Sequence, residues 1–498
     1  MINRLRGLFG RQSAELTQLQ NQLRRSAGEL IRLRYDAVQT TDLNRRHWAS
    51  ADQLAPNDSH SPEVRRMARA RCRAEAQNNG YLTGMLSRFA TAVVGIGPQV
   101  LIDAGDDADD NAVSAVERAF SEHCDAIGLP GKLRQFHRGL GTDGDQFGVF
   151  STNPLLPIVQ LDWRLYETDQ FAESAYAGLL TPGHVDGCRI DAYGNVTEWH
   201  LLDRHPGELV AGWPNNGQWI QSRFVTHWAN APRPGQIRGV GYVLPALELF
   251  AILRRYTLAT LTAAETAASI AAILETQMPA SGTARQLDLL ESFPIVRGMA
   301  IAAPDGWRAS QMKAEHPTST FDVFERCILK QIGSTIDMPY ILAVMDSSES
   351  TYSAARGDRL QFGDRIQIDR EALERVVLDR LFRAWLDEAA FVPGLIPDGL
   401  PLRSAWNWTW SWPGQSLIDP LKEATAELIQ LQARTKTFAE VCGARGQDWR
   451  RVFRQLAKEQ RYAREVGLGD LFATGEQVAA RALGHMTAIQ QEETAKAK

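Results

Sequence analysis

With 498 residues, of which 44% are hydrophobic, the chain is long enough for roughly three structural units, which excludes one compact domain. Its 54 Lys and Arg against 59 Asp and Glu give a formal net charge of -5, without the basic excess of a protein that grips nucleic acid through many phosphates. Five dispersed cysteines, with no Cys-x-x-Cys pair, predict neither a disulfide framework nor a zinc ribbon and indicate a reduced, intracellular protein.

The N-terminal region predicts two helices. Leucines at helical spacings between Ser13 and Leu33 predict an exposed or partner-dependent helix. A second helix is predicted to start with Ser61 as N-cap and Pro62 at its first position, and to reach about Gln77. Its arginines can meet DNA or other anions, or form a solvated face balanced by nearby acids. They are Arg65, Arg66, Arg69, Arg71 and Arg73.

A mixed region follows between Val100 and Val225. Phe147 to Ser151 and Ile158 to Trp163 are short β-like runs separated by turns. A helix is predicted from Asn111 to His123, capped by the acidic loop Asp103 to Asp110. We assign this part of the chain to the α+β class.

The run from Pro245 to Met278 contains no interior glycine or proline and predicts a single helix. Its most apolar window, Tyr256 to Leu274, is dominated by alanine and threonine, which favours a packed helix of a soluble protein over a membrane span. The small side chains permit close approach of a neighbouring backbone, either in a crowded assembly or in the core of one subunit. They include Ala259, Ala263, Ala264, Ala267, Ala268 and Ala271.

Beyond Pro279, the pattern predicts a helix from Phe321 to Ile336 and a second from about Ala355 to Ala390. The stretch between them, Met345 to Ser353, is small, polar and flexible, and its composition alone favours a surface linker.

Four tryptophans alternate with polar residues from Trp406 to Trp412, so a β-strand would place all four indoles on one face. Such a face is typical of a core or a subunit interface. A base-stacking platform is less favoured because no basic residues interleave with the indoles. C-terminal helices are predicted after Asp419, from about Asp448 to Val466, and from Gly475 to Glu493.

Enzyme motifs are missing from the sequence. The segment from Gly128 to Leu133 has two residues between its glycines where a phosphate loop needs four. Asp143 and Asp145 form the best metal-like pair, and they support the alternative of a metal-dependent nuclease or recombinase, but no further local ligand completes a site. We therefore expect a protein that is not an enzyme, with no catalytic, metal-binding or cofactor-binding residues.

Several short motifs follow one another in a fixed order along the chain. They are Arg34-Tyr35-Asp36-Ala37, His47-Trp48, Asn78-Asn79-Gly80-Tyr81, Val93-Val94-Gly95-Ile96-Gly97-Pro98, Gly239-Val240-Gly241, Pro245-Ala246-Leu247, Thr351-Tyr352-Ser353 with Arg356, and Ile418-Asp419-Pro420-Leu421-Lys422-Glu423. Their order resembles that of the lambda-type family of phage portal proteins, and the resemblance covers about residues 31–468.

The resemblance implies a multidomain, ring-forming α+β portal fold with a wing, stem, clip and crown. It assigns an N-terminal helical arm (1–60), an α+β wing (61–240), the long Ala-rich helix (241–278), the stem and clip region (279–340), a tunnel loop (341–358), a long helix with the Trp-rich strand (359–412) and a helical crown (413–498).

Two residue sets are expected to have roles in such a ring. The small side chains of the alanines from Ala259 to Ala271 predict close packing between subunits. The resemblance implies that a loop lines the DNA tunnel, composed of Asp346, Ser347, Ser348, Glu349, Ser350, Thr351 and Tyr352.

The implied function is a ring of about twelve copies at one capsid vertex, through which DNA is packaged and ejected. The implied partners are the terminase large subunit, the head-tail adaptor, the major capsid or scaffolding protein, and double-stranded DNA bound without sequence preference, with no membrane. The expected location is the virion, after assembly in the host cytoplasm. Another kind of virion structural protein remains the alternative within the same class.

Overall fold

The structure is a computed structural model that describes residues 40–42, 44–105, 108–173, 184–209, 215–268, 272–276, 307–311, 321–348, 350–414 and 420–467, with the isolated positions 19, 22 and 24. The chain divides into two compact units, Met1–Ser59 and His60–Lys498. The first unit contains the short helix α1, Pro56–Ser59.

The second unit begins with helices joined by capping residues. The predicted start of the first is confirmed, because Ser61 Oγ accepts a hydrogen bond from Val64 N and Pro62 occupies the first turn. Asn79 ends this helix, and its side chain caps the next one by accepting from Tyr81 N at 3.0 Å. The Asn-Asn-Gly-Tyr motif is therefore a joint between two helices. The helices are α2 (Pro62–Asn78), α3 (Gly80–Val94), α4 (Asp110–Ala126) and α5 (Leu129–Asp143).

Antiparallel sheets follow the helices and confirm the expected α+β class. The order β3-β2-β8 forms one sheet, β4-β5-β6-β7 a second, and β1 pairs with β11 from the far end of the chain. The strands are β1 (Gln99–Asp103), β2 (Asp145–Thr152), β3 (Leu161–Tyr166), β4 (His184–Val185), β5 (Cys188–Ile190), β6 (Val196–Leu202), β7 (Gly217–Gln221), β8 (Val225–Ala229) and β11 (Asn407–Ser411).

The C-terminal half is mainly helical. A π-helical turn, Glu374–Leu378, interrupts the long helix that the sequence predicts to continue to Ala390. The elements are α6 (Leu247–Ala268), β9 (Ala272–Thr276), β10 (Trp307–Gln311), α7 (Phe321–Ser334), α8 (Tyr340–Val344), α9 (Tyr352–Leu373), α10 (Asp379–Ala389), α11 (Pro420–Gln432), α12 (Phe438–Ala444) and α13 (Trp449–Glu465).

The predicted single helix from Pro245 to Met278 is wrong in its last third. Helix α6 ends at Ala268, and β9 pairs antiparallel with β10, which lies more than thirty residues downstream. The extended conformation of β9 is stabilised by pairing with a strand that is distant in sequence. Local helix propensity therefore could not predict that the helix ends at Ala268. The predicted helix from Gly475 to Glu493 lies outside the described residues.

The described residues of the second unit form two hydrophobic cores. The larger one joins α3, α4, α5, α9 and α10, where Phe120 contacts Phe382 and Trp385 edge to face at ring distances of 4.8 and 5.2 Å. The smaller one lies between the two larger sheets, where Phe147 stacks on Phe171 at 4.0 Å. Among the helices described, none has the length and apolar content needed to cross a membrane.

Candidate functional site

The predicted tunnel loop lies between α8 and α9 as an exposed connection. Met345 ends α8 in the left-handed conformation, with φ of 63°, and its side chain is 74% exposed. Thr351 caps α9 by accepting a hydrogen bond from Ala354 N. Glu349 is not among the described residues. The predicted linker between two helices is thus confirmed, while its position in a tunnel stays a prediction.

Asp346 is held in place by three hydrogen bonds. Its Oδ1 accepts from the backbone N and the Oγ of Ser348 at 3.0 and 2.6 Å, and its Oδ2 accepts from the Tyr340 hydroxyl at 3.3 Å. The hydrogen bonds from Ser348 lower the pKa of Asp346, so this carboxylate keeps its negative charge at neutral pH. A half-buried carboxylate that is ionised at neutral pH can still repel phosphate.

The Ala-rich helix α6 is buried at its start and exposed further along. Phe250 and Leu253 belong to the larger core, whereas Leu258 and Leu261 are 57% and 54% exposed. Ala259 is also exposed, while Ala263 and Ala264 are half-buried. Ala267 and Ala268 lie in the helix without a described side-chain environment, and Ala271 lies outside the described residues. A core role within one subunit therefore applies to the first part of the helix.

Asp143, one of the two acids considered as metal ligands, forms an ion pair with an arginine of α2. Arg73 Nε and Nη2 donate to the two carboxylate oxygens at 2.8 and 2.7 Å, a fork geometry that favours the ionised pair. Thr142 Oγ1 also donates to Asp143 at 3.0 Å.

Asp145, the second acid of the candidate metal-binding pair, is fully buried and contacts a different arginine and a histidine. Arg238 Nε donates to Asp145 Oδ2 at 2.5 Å, and His227 Nε2 lies 3.5 Å from the same oxygen. Burial alone would raise the pKa of Asp145, but the charge of Arg238 and the contact with His227 lower it well below its usual range. The two acids face different guanidinium groups, so they do not form the paired-carboxylate site that a nuclease would need.

Two more arginines of α2 form ion pairs in the same buried network. Arg69 donates to Asp169 at 2.7 Å, and Arg65 forms an ion pair with Asp186. Burial lowers the pKa of Arg65 to about 9, with the neighbouring charge of Arg238 as the next cause. Of the five arginines that the sequence offered for anion binding, three therefore face inward to acids. The other two, Arg66 and Arg71, are exposed.

Among the residues that the structure describes, one group at the edge of this network has the composition of a metal site. Glu167, Asp169 and His205 bring one ligand atom each within 4.8 Å of one another. Arg73 Nη1 lies 3.3 Å from Glu167 and 2.9 Å from Asp169, so a guanidinium already supplies the positive charge that a cation would bring. The local sequence gave no signal for this group, because Glu167 and Asp169 share one short turn but His205 comes from a separate segment.

The backbone of the Gly-Val-Gly motif, residues 239–241, lies directly against the backbone at the end of α5, and the absence of a Cβ allows this close approach. A Cβ on Gly144 would lie 2.1 Å from the carbonyl carbon of Val240, and one on Gly239 would lie 2.0 Å from the carbonyl oxygen of Gly144. Gly144 also has a φ of 85°, which L side chains rarely adopt. The motif is therefore explained by backbone packing.

The tryptophan strand packs on α10 through its indole nitrogens. Trp408 and Trp410 each donate to Asp379 Oδ1 at 2.9 Å. The sequence predicted that this face would be either core or subunit interface. It is part of the core of the subunit, since these indoles pack against the larger core. The other two indoles, of Trp406 and Trp412, are buried. Trp412 donates to Glu374 at 2.5 Å, and Trp406 donates to the carbonyl oxygen of Pro401 at 3.0 Å.

A family model described as phage portal protein, lambda family, matches residues 44–370. The chain belongs to this family. The resemblance inferred from the ordered motifs is therefore confirmed, and no finding supports the nuclease alternative.

Curated relatives agree with this assignment. The chain is 22% identical to the portal protein of Escherichia phage N15 over 457 residues, which cover 80% of this chain and 85% of the relative. It is 26% identical to portal protein B of Escherichia phage lambda over 162 residues, which cover 31% of this chain and 30% of the relative.

Similar solved structures include a chain from the neck of an empty gene transfer agent particle, 13% identical, with a TM-score of 0.41 over 76% of this chain and 93% of that chain. Another is an HK97 family phage portal protein from Corynebacterium diphtheriae, 11% identical, with a TM-score of 0.30 over 57% of this chain and 82% of that chain.

Proposed function

We propose that the chain assembles into a ring of about twelve copies at one vertex of a phage head and forms the conduit for packaging and ejection of double-stranded DNA. Membership of the phage portal family is the observation that carries this proposal. Its partners would be the terminase large subunit, the head-tail adaptor and the major capsid or scaffolding protein. Its location would be the portal vertex of the virion, after assembly in the host cytoplasm.

The chain would act as a structural protein without catalysis of its own. The force for packaging would come from a separate ATP-driven motor, since the sequence lacks a complete phosphate loop. The occupation of Asp143 and Asp145 by guanidinium groups supports the same conclusion for metal-dependent nucleic acid cleavage.

The acidic loop between α8 and α9 would line the DNA path. A ring of about twelve subunits, each at -5, carries roughly -60 in formal charge, and a lumen of the same sign as DNA keeps the duplex centred without binding it. Asp346 supports this placement because it is partly exposed, ordered by Ser348 and Tyr340, and negatively charged at neutral pH.

Neighbouring subunits would pack against the exposed part of α6. Ala259, Leu258 and Leu261 are exposed together along this helix, which offers an apolar face with small side chains. Close packing of a second copy there would bury this surface and allow the backbones to approach.

Charge reversal in the loop tests the proposed tunnel. In a ring of about twelve, Asp346→Lys with Glu349→Lys converts about 24 negative charges into as many positive ones. We expect these rings to assemble normally and to retain linear DNA at low salt, with binding that weakens steeply as the salt concentration rises, because bound phosphates release counterions. Electron microscopy of negatively stained rings and a DNA retention assay over a salt series provide the measurements.

The matched control reverses two exposed acids of α4, Glu122→Lys with Asp125→Lys. This variant has the same net charge but should retain less linear DNA. If the loop variant retains no more DNA than wild type or the control, the loop does not line the DNA path. Absence of rings from the wild-type protein would contradict the proposed assembly itself.

A further inference from the structure

A cavity of about 390 Å³ lies between the sheet β3-β2-β8 and helix α10. Its volume falls in the range of roughly 300–1,000 Å³ that is usual for small-molecule sites. Three of the side chains that line it are arginines, Arg223, Arg380 and Arg383, whereas Glu388 is the one carboxylate of the lining. Three positive charges against one negative charge give the cavity a net +2, in a chain whose formal charge is -5.

Arg380 holds the wall of the cavity that precedes β8. Its Nη1 donates to the carbonyl oxygen of Val225 at 2.9 Å, and its Nη2 donates to the carbonyl oxygens of Ser222 and Arg223 at 3.1 and 2.7 Å. The same guanidinium lies 5.6 Å from the ring centre of Phe150. Burial lowers the pKa of Arg380 from its usual value. These contacts fix the position of the turn that carries Arg223.

Arg223 and Arg383 contribute exposed guanidinium groups to the cavity. The Arg223 guanidinium lies 4.7 Å from the ring centre of Phe224, and the Arg383 guanidinium lies 5.3 Å from that of Trp408. Within the described ranges of the chain, neither arginine forms an ion pair with a carboxylate. Both groups can therefore bind an anion without first breaking an ion pair.

The acids one turn away from Arg383 on α10 have other partners. Asp379 Oδ1 accepts hydrogen bonds from two indoles of the tryptophan strand. Asp387 Oδ1 lies 3.7 Å from Arg403 Nη1. Because these carboxylates are engaged elsewhere, the charge of Arg383 remains available to the cavity.

Glu388 does not neutralise the three arginines either. A guanidinium in close contact would lower the pKa of this carboxyl group. Instead, burial raises the pKa of Glu388, although its carboxylate accepts a hydrogen bond from the backbone N of Leu161. The excess of positive charge in the cavity is therefore not cancelled by its own acid.

We propose that this cavity binds a phosphate monoester, either free phosphate or the phosphate of a mononucleotide. Such a group carries about -1.5 to -2 charges at pH 7, which matches the net +2 of the lining. Guanidinium groups present forked N–H donors that fit phosphate oxygens. The hydroxyl groups of Ser151 and Thr152 line the same cavity and can donate to the remaining oxygens.

The apolar part of the lining distinguishes two sources of the phosphate. Phe150, Leu161 and Phe224 face the same space as the arginines, so a nucleoside attached to the phosphate can pack against them. Free phosphate would use the polar part of the cavity alone. A mononucleotide that binds more tightly than inorganic phosphate therefore identifies the nucleotide as the ligand, and equal or weaker binding identifies free phosphate.

Isothermal titration calorimetry of the full-length protein at pH 7 and low salt tests the site, with deoxyadenosine monophosphate and inorganic phosphate as probes. Arg223→Gln with Arg383→Gln removes two exposed cations and leaves Arg380 to hold the turn. We expect this variant to bind both probes at least about tenfold more weakly, because two charge-assisted contacts are lost. Glu388→Gln keeps a hydrogen-bond acceptor for Leu161 and removes the repelling charge, so both probes should bind about twofold to tenfold more tightly.

The matched control, Arg66→Gln with Arg71→Gln on α2, removes two exposed arginines elsewhere and changes the net charge equally. It should bind both probes as wild type does. The proposal is overturned if wild type binds neither probe, if both double variants lose affinity equally, or if Glu388→Gln weakens binding. It is also overturned if deoxyadenosine without phosphate binds as tightly as the monophosphate, or if glutamate competes as well as phosphate, which would identify a carboxylate site.

The site is contained within one subunit, so this inference is independent of the proposed ring. Binding of the probes by protein that forms no rings in electron micrographs would contradict the portal assembly and support the site. Rings that bind neither probe would leave the assembly intact and overturn the inference about the cavity alone.

Discussion

Replacement of Asp145 by Asn removes one negative charge from the buried ion-pair network between α2 and the sheets. Asp145 has no solvent exposure and Arg238 has 1%. Four arginines pair with four aspartates in this network, and Arg73 also contacts Glu167. The substitution removes the carboxylate at Arg238 Nε, while Arg238 Nη1 stays 3.5 Å from Asp186. The four pairs are Arg238 with Asp145, Arg65 with Asp186, Arg69 with Asp169, and Arg73 with Asp143.

The expected cost is about 3 kcal/mol, at the lower end of the roughly 3–5 kcal/mol for loss of one partner of a buried pair. Asn keeps the volume of Asp145 and can still accept a hydrogen bond. Arg238 also keeps its hydrogen bonds to the carbonyl oxygens of Phe171 and Asp186, both at 2.8 Å, which continue to solvate the guanidinium. Because the pKa of Asp145 is depressed, its contribution is present above about pH 4 and is lost as the pH falls through the folded-state pKa.

Urea unfolding followed by circular dichroism at pH 7 measures this cost, with Asp398→Asn in an exposed loop as the control. Replacement of the whole pair by apolar residues, Asp145→Leu with Arg238→Met, should cost less than Asp145→Asn, because no buried charge is then left unpaired. The reasoning would be refuted if the free energy of unfolding of the Asp145→Asn protein were within about 0.5 kcal/mol of the wild-type value, with the same slope against urea concentration.

Other perturbations follow from the same structure. Ala264→Leu with Ala268→Leu should impair ring assembly, at a cost of typically about 1–3 kcal/mol for each overpacked site, and normal ring yields in electron micrographs would contradict close packing at α6. Gly144→Ala should prevent accumulation of folded protein, measured as soluble yield, because its Cβ would lie 2.1 Å from the backbone of Val240. Burial lowers the pKa of His123 to about 4, so the unfolded state binds the proton first and stability falls with decreasing pH, by about 2 kcal/mol between pH 7 and pH 5. Urea titrations at the two pH values should show this difference in wild type, and His123→Gln should reduce it.

The sequence by itself determined the family and much of the local structure. The Ser61-Pro62 start of α2 depends on contacts within a few residues, so it is readable from the sequence. The alternation of the tryptophans places them on one face of a strand whatever that strand pairs with, so their shared face is readable from spacing although the partner strand β1 is distant in sequence. The order of the motifs identified the portal family without any knowledge of how they pack. The Asn-Asn and Gly-Val-Gly motifs were recognised in this way, although their physical roles were not.

Only the tertiary structure decided where the charged side chains go. Arg73 and Asp143 are 70 residues apart, and Arg238 and Asp145 are 93 apart, so no local pattern shows that the arginines of α2 are neutralised or that the metal-like acids are occupied. The sequence also misplaced the end of α6 for this reason, because a strand partner beyond residue 306 stabilises β9 against the local helix propensity. Spacing along the chain predicts which residues share a face, while burial and ion pairing depend on what the fold places opposite that face.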